Sequence, residues 1–178
     1  EARRQLAVDE ASGVRVTAYP TILQPFWRRV VAEGEGIVKV GFYSPLAPSR
    51  IAWTTYGQAK SPAVTAAHAL PEIKLFAWFS ANQTLWQSRP QGDATIIEVR
   101  DLRYGLPGGT EAGFWGVRVV MGADGAVLAP PEPFRDRPGP SLDTAINILR
   151  AAFLGTESAQ PPPKPFPPLK PGAPERGA

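Results

Sequence analysis

The chain has 178 residues, 43% hydrophobic and 20% charged, which is enough for one domain with a core of its own. It has no cysteine and a single histidine, which excludes disulfides, thiolate metal sites, a cysteine nucleophile and a histidine-rich metal centre. The formal net charge is +3, but Lys164, Lys170 and Arg176 against Glu175 supply +2 of it within residues 161–178. The remainder gathers no basic face, so no nucleic-acid partner is predicted.

The chain opens on Glu1 and its sole methionine is Met121, as expected of a portion of a longer protein. No run of about 18 apolar residues is present to span a bilayer. Three segments are predicted: residues 1–12 (EARRQLAVDEAS), helix-compatible; residues 13–155, a single domain; and residues 156–178, a proline-rich tail. That tail is read first as an extended, disordered tail or linker with too few apolar residues to fold, its PxxP-type spacings offering a docking peptide for a protein partner as the alternative.

After Gly13 the period changes to two. Val14, Val16 and Ala18 alternate with Arg15, Thr17 and Tyr19, predicting a strand that ends at Pro20. Residues 26–33 and 37–44 flank Gly34-Glu35-Gly36, a hairpin pattern, and residues 50–56 form a third run closed by Gly57. Ser61 is then a good N-cap before Pro62 and an alanine-rich helix, and Pro71 starts a second helix with Glu72 in its first turn. This second helix carries two apolar stripes, one of Ile73, Phe76, Ala77 and Ser80, the other of Leu75, Trp78, Phe79 and Asn82. Such a pattern predicts burial on both sides.

Strand patterns resume at residues 85–89, 95–104 and 114–121, with Asp124-Gly125 turning the chain into residues 126–128. Gly108-Gly109 precedes no apolar helix and is read as a loop. A last helix is predicted from Ser141 to Gly155, with Leu142, Ala145, Ile146, Leu149 and Phe153 in register. The fold class is therefore α+β: a largely antiparallel sheet, a helix pair inserted mid-chain, and a C-terminal helix packed on it.

No nucleophile elbow, zinc-protease motif, phosphate loop or dinucleotide fingerprint is present. His68 has only Glu72 as a helical neighbour, a structural pairing. No catalytic or metal-ligating residue is assigned. The charged constellation is Asp101-Leu102-Arg103-Tyr104: Asp101 shares its parity with Ile97 and Val99, so on a core face its carboxylate needs a partner, for which Arg28, Arg29 and Arg103 are candidates. Arg28, Asp101, Arg103, Tyr104 and Trp27 are the predicted binding or interface residues. The five tryptophans, spread over nearly every element, read first as core.

Residues 19–31 (YPTILQPFWRRVV) and 41–44 (GFYS), Phe76-Ala77-Trp78-Phe79-Ser80, and Val99-Arg100-Asp101-Leu102-Arg103-Tyr104 occur in an order that resembles the C-terminal soluble domain of the membrane-bound, inner-membrane-associated metal-dependent hydrolase family. The likeness covers residues 1–128 through short motifs. It implies that residues 1–12 continue a membrane helix lying upstream, and that this chain's partner is its own membrane-embedded portion. It implies further that a divalent metal, the only cofactor in question, is held by histidines of that portion, with none in this chain. The expected role is a soluble accessory or regulatory domain without a catalytic centre. Arg3 and Arg4 beside the membrane exit favour a cytoplasmic side. The alternative is a stand-alone small-molecule-binding module or enzyme, with a pocket between the sheet and the helices of residues 61–82.

Overall fold

The computed structural model describes residues 13–21, 24–47, 50–107, 110–136, 146, 149, 150 and 152–154. The predicted lead-in of residues 1–12, the Gly108-Gly109 loop, most of the C-terminal helix and the tail from residue 156 lie outside these. The described elements run β1 (Arg15–Thr21), β2 (Gln24–Gly34), β3 (Ile37–Tyr43), β4 (Thr54–Gly57), α1 (Pro62–His68), α2 (Pro71–Phe79), β5 (Thr84–Gln91), β6 (Ala94–Asp101), β7 (Trp115–Gly122) and β8 (Val127–Arg135). The chain is α+β with antiparallel pairing, and its strands divide into two four-stranded meanders, β1-β2-β3-β4 and β5-β6-β7-β8.

Local chemistry explains the boundaries. The β2–β3 hairpin reverses through Gly36 at φ +72, a left-handed conformation that glycine adopts without steric cost. β4 begins later than its apolar run because residues 51–53 cross over β3 at Gly41, where a Cβ would lie 2.2 Å from Ile51 Cγ2. Ser61 caps α1 by accepting from the Val64 N–H at 3.2 Å, with Pro62 at the first helical position. β8 runs past the predicted residue 128 through Pro130, Pro131 and Pro133. It can do so because it is an edge strand, where a missing N–H costs no ladder bond and blunts unwanted pairing.

Register assigns the faces. On the second sheet Trp86, Val99 and Val117 are aligned, with Ile97 opposite Val119. This face packs under the helices, joining Val64, Ala67 and Ile73 to Trp86, Ile97, Val99, Val119 and Met121. The opposite face carries Leu85, which packs with Val31, Val38 and Val40 of the first sheet and with Leu102. Gln58 stitches the two sheets together. Its side-chain amide donates to Thr84 O at 3.0 Å and accepts from the Trp86 N–H at 2.8 Å, as a strand residue would.

Two expectations change. The second sheet is covered on both faces, so β6 is buried along most of its length rather than on alternate residues. Conversely α2 buries only its first stripe: Ile73 and Ser80 are buried, whereas Leu75 is 64%, Trp78 76% and Phe79 55% exposed. Of this second stripe Phe79 lies beside Phe76 and under the Arg103 guanidinium, while Leu75 and Trp78 are the most exposed. At the C-terminal end Ile146, Leu149, Arg150 and residues 152–154 are helical. Ala152 is fully buried against Trp27 and Phe42, and its carbonyl accepts from Ser44 Oγ at 2.6 Å.

Candidate functional site

β6 ends where its last residue turns its side chain back on the chain. Asp101 is 0% exposed, and its Oδ1 accepts from the Arg103 N–H at 2.9 Å, the local bond by which aspartate closes a turn. The Arg103 guanidinium completes a bidentate pair, with Nε at 3.0 Å from Oδ1 and Nη2 at 2.7 Å from Oδ2. Trp115 Nε1 donates to the same Oδ2 at 3.2 Å. Both carboxylate oxygens are thus engaged by directed donors, which is how a buried charge is made tolerable. The bond to Asp101 raises the Arg103 pKa above its ordinary value, against an opposing effect of burial.

Around this clasp the aromatic rings are close. Tyr104 lies 4.6 Å from Trp115 and 6.4 Å from Phe114, and Phe114 meets Trp115 edge-on at 4.6 Å. The Arg103 guanidinium sits 5.1 Å over Phe79 of α2 and 5.3 Å over Tyr104, within cation–π range.

Behind the clasp, Arg29 reaches from β2 into the segment after β6. Its Nε donates to Leu102 O at 2.7 Å, its Nη2 donates to Glu111 O, and its guanidinium lies 5.8 Å from the Phe42 ring. Arg29 is buried, and that burial lowers its pKa to about 10, moderated by Tyr56, Glu111, Asp101 and Tyr19. Tyr56, packed in the same core, is pushed up to about 12 by burial and by Glu111. One buried cation therefore holds both ends of the Leu102–Glu111 segment.

No protein-family model matches the chain, and no curated protein and no solved structure matches it.

Of the predicted site residues, Asp101, Arg103 and Tyr104 come together. Trp27 is buried on the same face of β2 as Arg29, stacked on Phe42 at 6.0 Å, and so belongs to the support of the junction. Arg28 points to the other face, is exposed, and is opposite Tyr43 and Pro20 in register. It does not join Asp101. Among the described residues no group of three or more His, Cys, Asp or Glu is disposed to hold a metal ion.

A second polar network was not foreseen from the sequence. Glu98, buried, accepts from Arg100 Nη2 at 2.7 Å and from Arg118 Nε at 2.9 Å and Nη2 at 2.7 Å. Arg100 also donates to Asp136 at 2.7 Å, and Phe134 lies between the two guanidinium groups at 4.7 and 5.2 Å. The alternation of Ile96, Glu98 and Arg100 looks like a solvent face; only the packing of a second layer over it reveals burial.

His68 ends α1 and stacks on Trp86 with ring centroids 3.7 Å apart. Burial lowers its pKa from the ordinary 6.5. A base with a depressed folded pKa favours the neutral form in the fold, so its contribution is complete above the unfolded value. It is lost as pH falls through 6.5 toward the folded value. Wild type is expected to lose a little more stability than His68→Gln on going from about pH 7.5 to 5, as read by denaturant midpoints. Parallel pH profiles would contradict this.

Proposed function

We propose that this chain is the soluble, non-catalytic portion of a membrane-bound protein of the metal-dependent hydrolase type, serving it by binding rather than by chemistry. The observation that supports this most is the meeting of three distant segments, the ones on which the family resemblance rests. Arg29, from the Trp27–Val31 stretch, bonds Leu102 at 73 residues' separation, and Phe79, from the Phe76–Ser80 stretch, lies under Arg103. The short motifs that looked scattered in sequence build one junction.

The polar groups of that junction are spent on holding it. A general acid or base needs a titratable group that can reach a substrate proton, whereas Asp101 is fully buried with both oxygens bonded. His68 lies apart from this junction, stacked on Trp86 at the end of α1. What the junction offers outward is the edge formed by Arg103, Tyr104, Phe114 and Trp115, all half-buried. In this reading that edge meets the protein's own membrane-embedded portion, where the divalent metal would reside. No helix among the described residues is long and apolar enough to cross a membrane. The competing reading, a ligand pocket between sheet and helices, is disfavoured because Val64, Ala67, Ile73, Trp86 and Val99 fill that space.

The test is hydrolysis by the purified chain of chromogenic phosphoester, ester and amide substrates, with magnesium, manganese or zinc supplied. No turnover above the metal-only blank is expected. Turnover that a chelator abolishes and that Asp101→Asn reduces would overturn the proposal.

A further inference from the structure

Each four-stranded meander ends in two edge strands, whose outer N–H and C=O groups are a template for another strand unless something blocks them. Of these four edges, three are blocked or short. On β5 the Ala59 N–H donates to Trp86 O at 2.9 Å, the Gln58 amide serves Thr84 O and the Trp86 N–H, and Pro90 lacks a donor. β8 carries Pro130, Pro131 and Pro133. β4 has four residues.

β1 has none of these devices over Arg15–Tyr19. It pairs with β2 on one side, and among the described residues no bond reaches the backbone of residues 15–19 from the other. Its sequence, RVTAYPT, holds no lysine or acidic residue and places its one proline near the end. Val16, Thr17 and Tyr19 are the β-branched and aromatic types that suit a paired strand. Arg15, its sole charge, is answered by Glu33 of β2 at 3.5 Å, so the edge repels little.

The order of residues along β1 fits a second copy of itself. Antiparallel pairing of two β1 edges about a two-fold axis at Thr17 sets Thr17 opposite its counterpart, Val16 opposite Ala18 and Arg15 opposite Tyr19. No like charges face each other, the two threonines meet, and each arginine comes beside a tyrosine ring. The axis also closes the assembly, because it uses up the β1 edge of both copies and joins their four-stranded sheets into one. Pairing β1 with the β4 edge of a second copy would match four residues at most and leave further edges to grow on.

We propose that the outer edge of β1 is a pairing surface for a second copy of this chain, joined antiparallel about Thr17. This goes beyond the proposed function and does not rest on it. One strand pair is a small interface, so a reversible dimer is expected and not a permanent one. In sedimentation of the full chain the average mass should rise with concentration toward that of two copies. Ala18 is exposed in mid-strand, so Ala18→Lys should leave the thermal midpoint near wild type. It should weaken the dimer about tenfold, since the two lysines lie on diagonal positions and each is set against Val16.

Cross-linking reads the register, because the chain has no cysteine of its own. Thr17→Cys sets two thiols opposite each other at a Cβ separation of about 4.5–5.5 Å, close enough for a disulfide under mild oxidant. Arg15→Cys sets them four residues apart along the strand, about 13 Å, and should not cross-link. A chain that stays monomeric at every concentration would overturn the proposal, as would a dimer that Ala18→Lys leaves unchanged. Equal cross-linking of the two cysteine variants would overturn it by assigning the contact to another register or face. So would assemblies that grow beyond two copies. Slow hydrogen exchange along β1 in a monomer would overturn it too, by assigning the edge to another part of the same chain.

Discussion

Arg29→Ala is expected to destabilise the domain by about 4 kcal/mol, since two backbone carbonyls lose a charged donor at roughly 1–3 kcal/mol each and the side chain leaves a void. The physical reason is the unusual bonding of this arginine: its two directed bonds go to the carbonyls of Leu102 and Glu111 and not to a carboxylate. A buried ion pair can be exchanged for apolar residues at little cost. A cation that satisfies backbone acceptors cannot, because the acceptors remain when it is gone. Arg29→Met, which keeps an apolar stem of similar length but neither the donors nor the guanidinium over Phe42, should therefore recover less than half of the loss. For a domain of this size the alanine variant corresponds to a fall in Tm of roughly 10 °C. Hydrogen exchange should accelerate first in residues 102–113, the segment that Arg29 pins. A methionine variant as stable as wild type would reduce Arg29 to a space-filler.

Asp101 should give the second-largest effect. Asp101→Ala strands the Arg103 N–H, its guanidinium and Trp115 Nε1, and a cost of about 3 kcal/mol follows from removing one partner of a buried pair. It falls below the upper end of that range because Arg103 is partly exposed and can turn toward water. Asp101→Asn keeps an acceptor and should cost about half as much. Arg103→Ala leaves the carboxylate buried with fewer donors, and the double variant should be no worse than the poorer single one, a coupling of at least about 1 kcal/mol. Strict additivity of the two losses in urea denaturation would show that the clasp does not act as a unit.

How far the sequence foretold this depends on which physical effect decided each element. Local chemistry was legible. Ser61-Pro62 and Pro71 began helices, glycine marked the hairpin turn at Gly36, and the parity of Asp101 with Ile97 and Val99 pointed to a carboxylate in need of a partner, with Arg103 one of three candidates and the one found. What depended on the second layer was hidden. Glu98 and Arg100 alternate like surface residues yet are buried, and the division into two sheets has no local signature. α2 failed in the opposite sense, because hydrophobicity alone does not tell a buried stripe from an exposed one. Asp101, Arg103 and Tyr104, named from the sequence, are brought together by the fold, whereas Arg28 lies on the other face of β2 from Arg29, in a strand whose faces alternate. The parity of Trp27, Arg29 and Val31 was available and points to the right arginine.

The proposed role, the binding portion of a larger membrane protein whose chemistry lies elsewhere, makes a sharp prediction about the gene. The most direct measurement is the coding sequence immediately upstream of Glu1. Consecutive membrane helices with clustered histidines are expected there, leading into residues 1–12. An initiator methionine directly before Glu1, with no membrane segment, would contradict it.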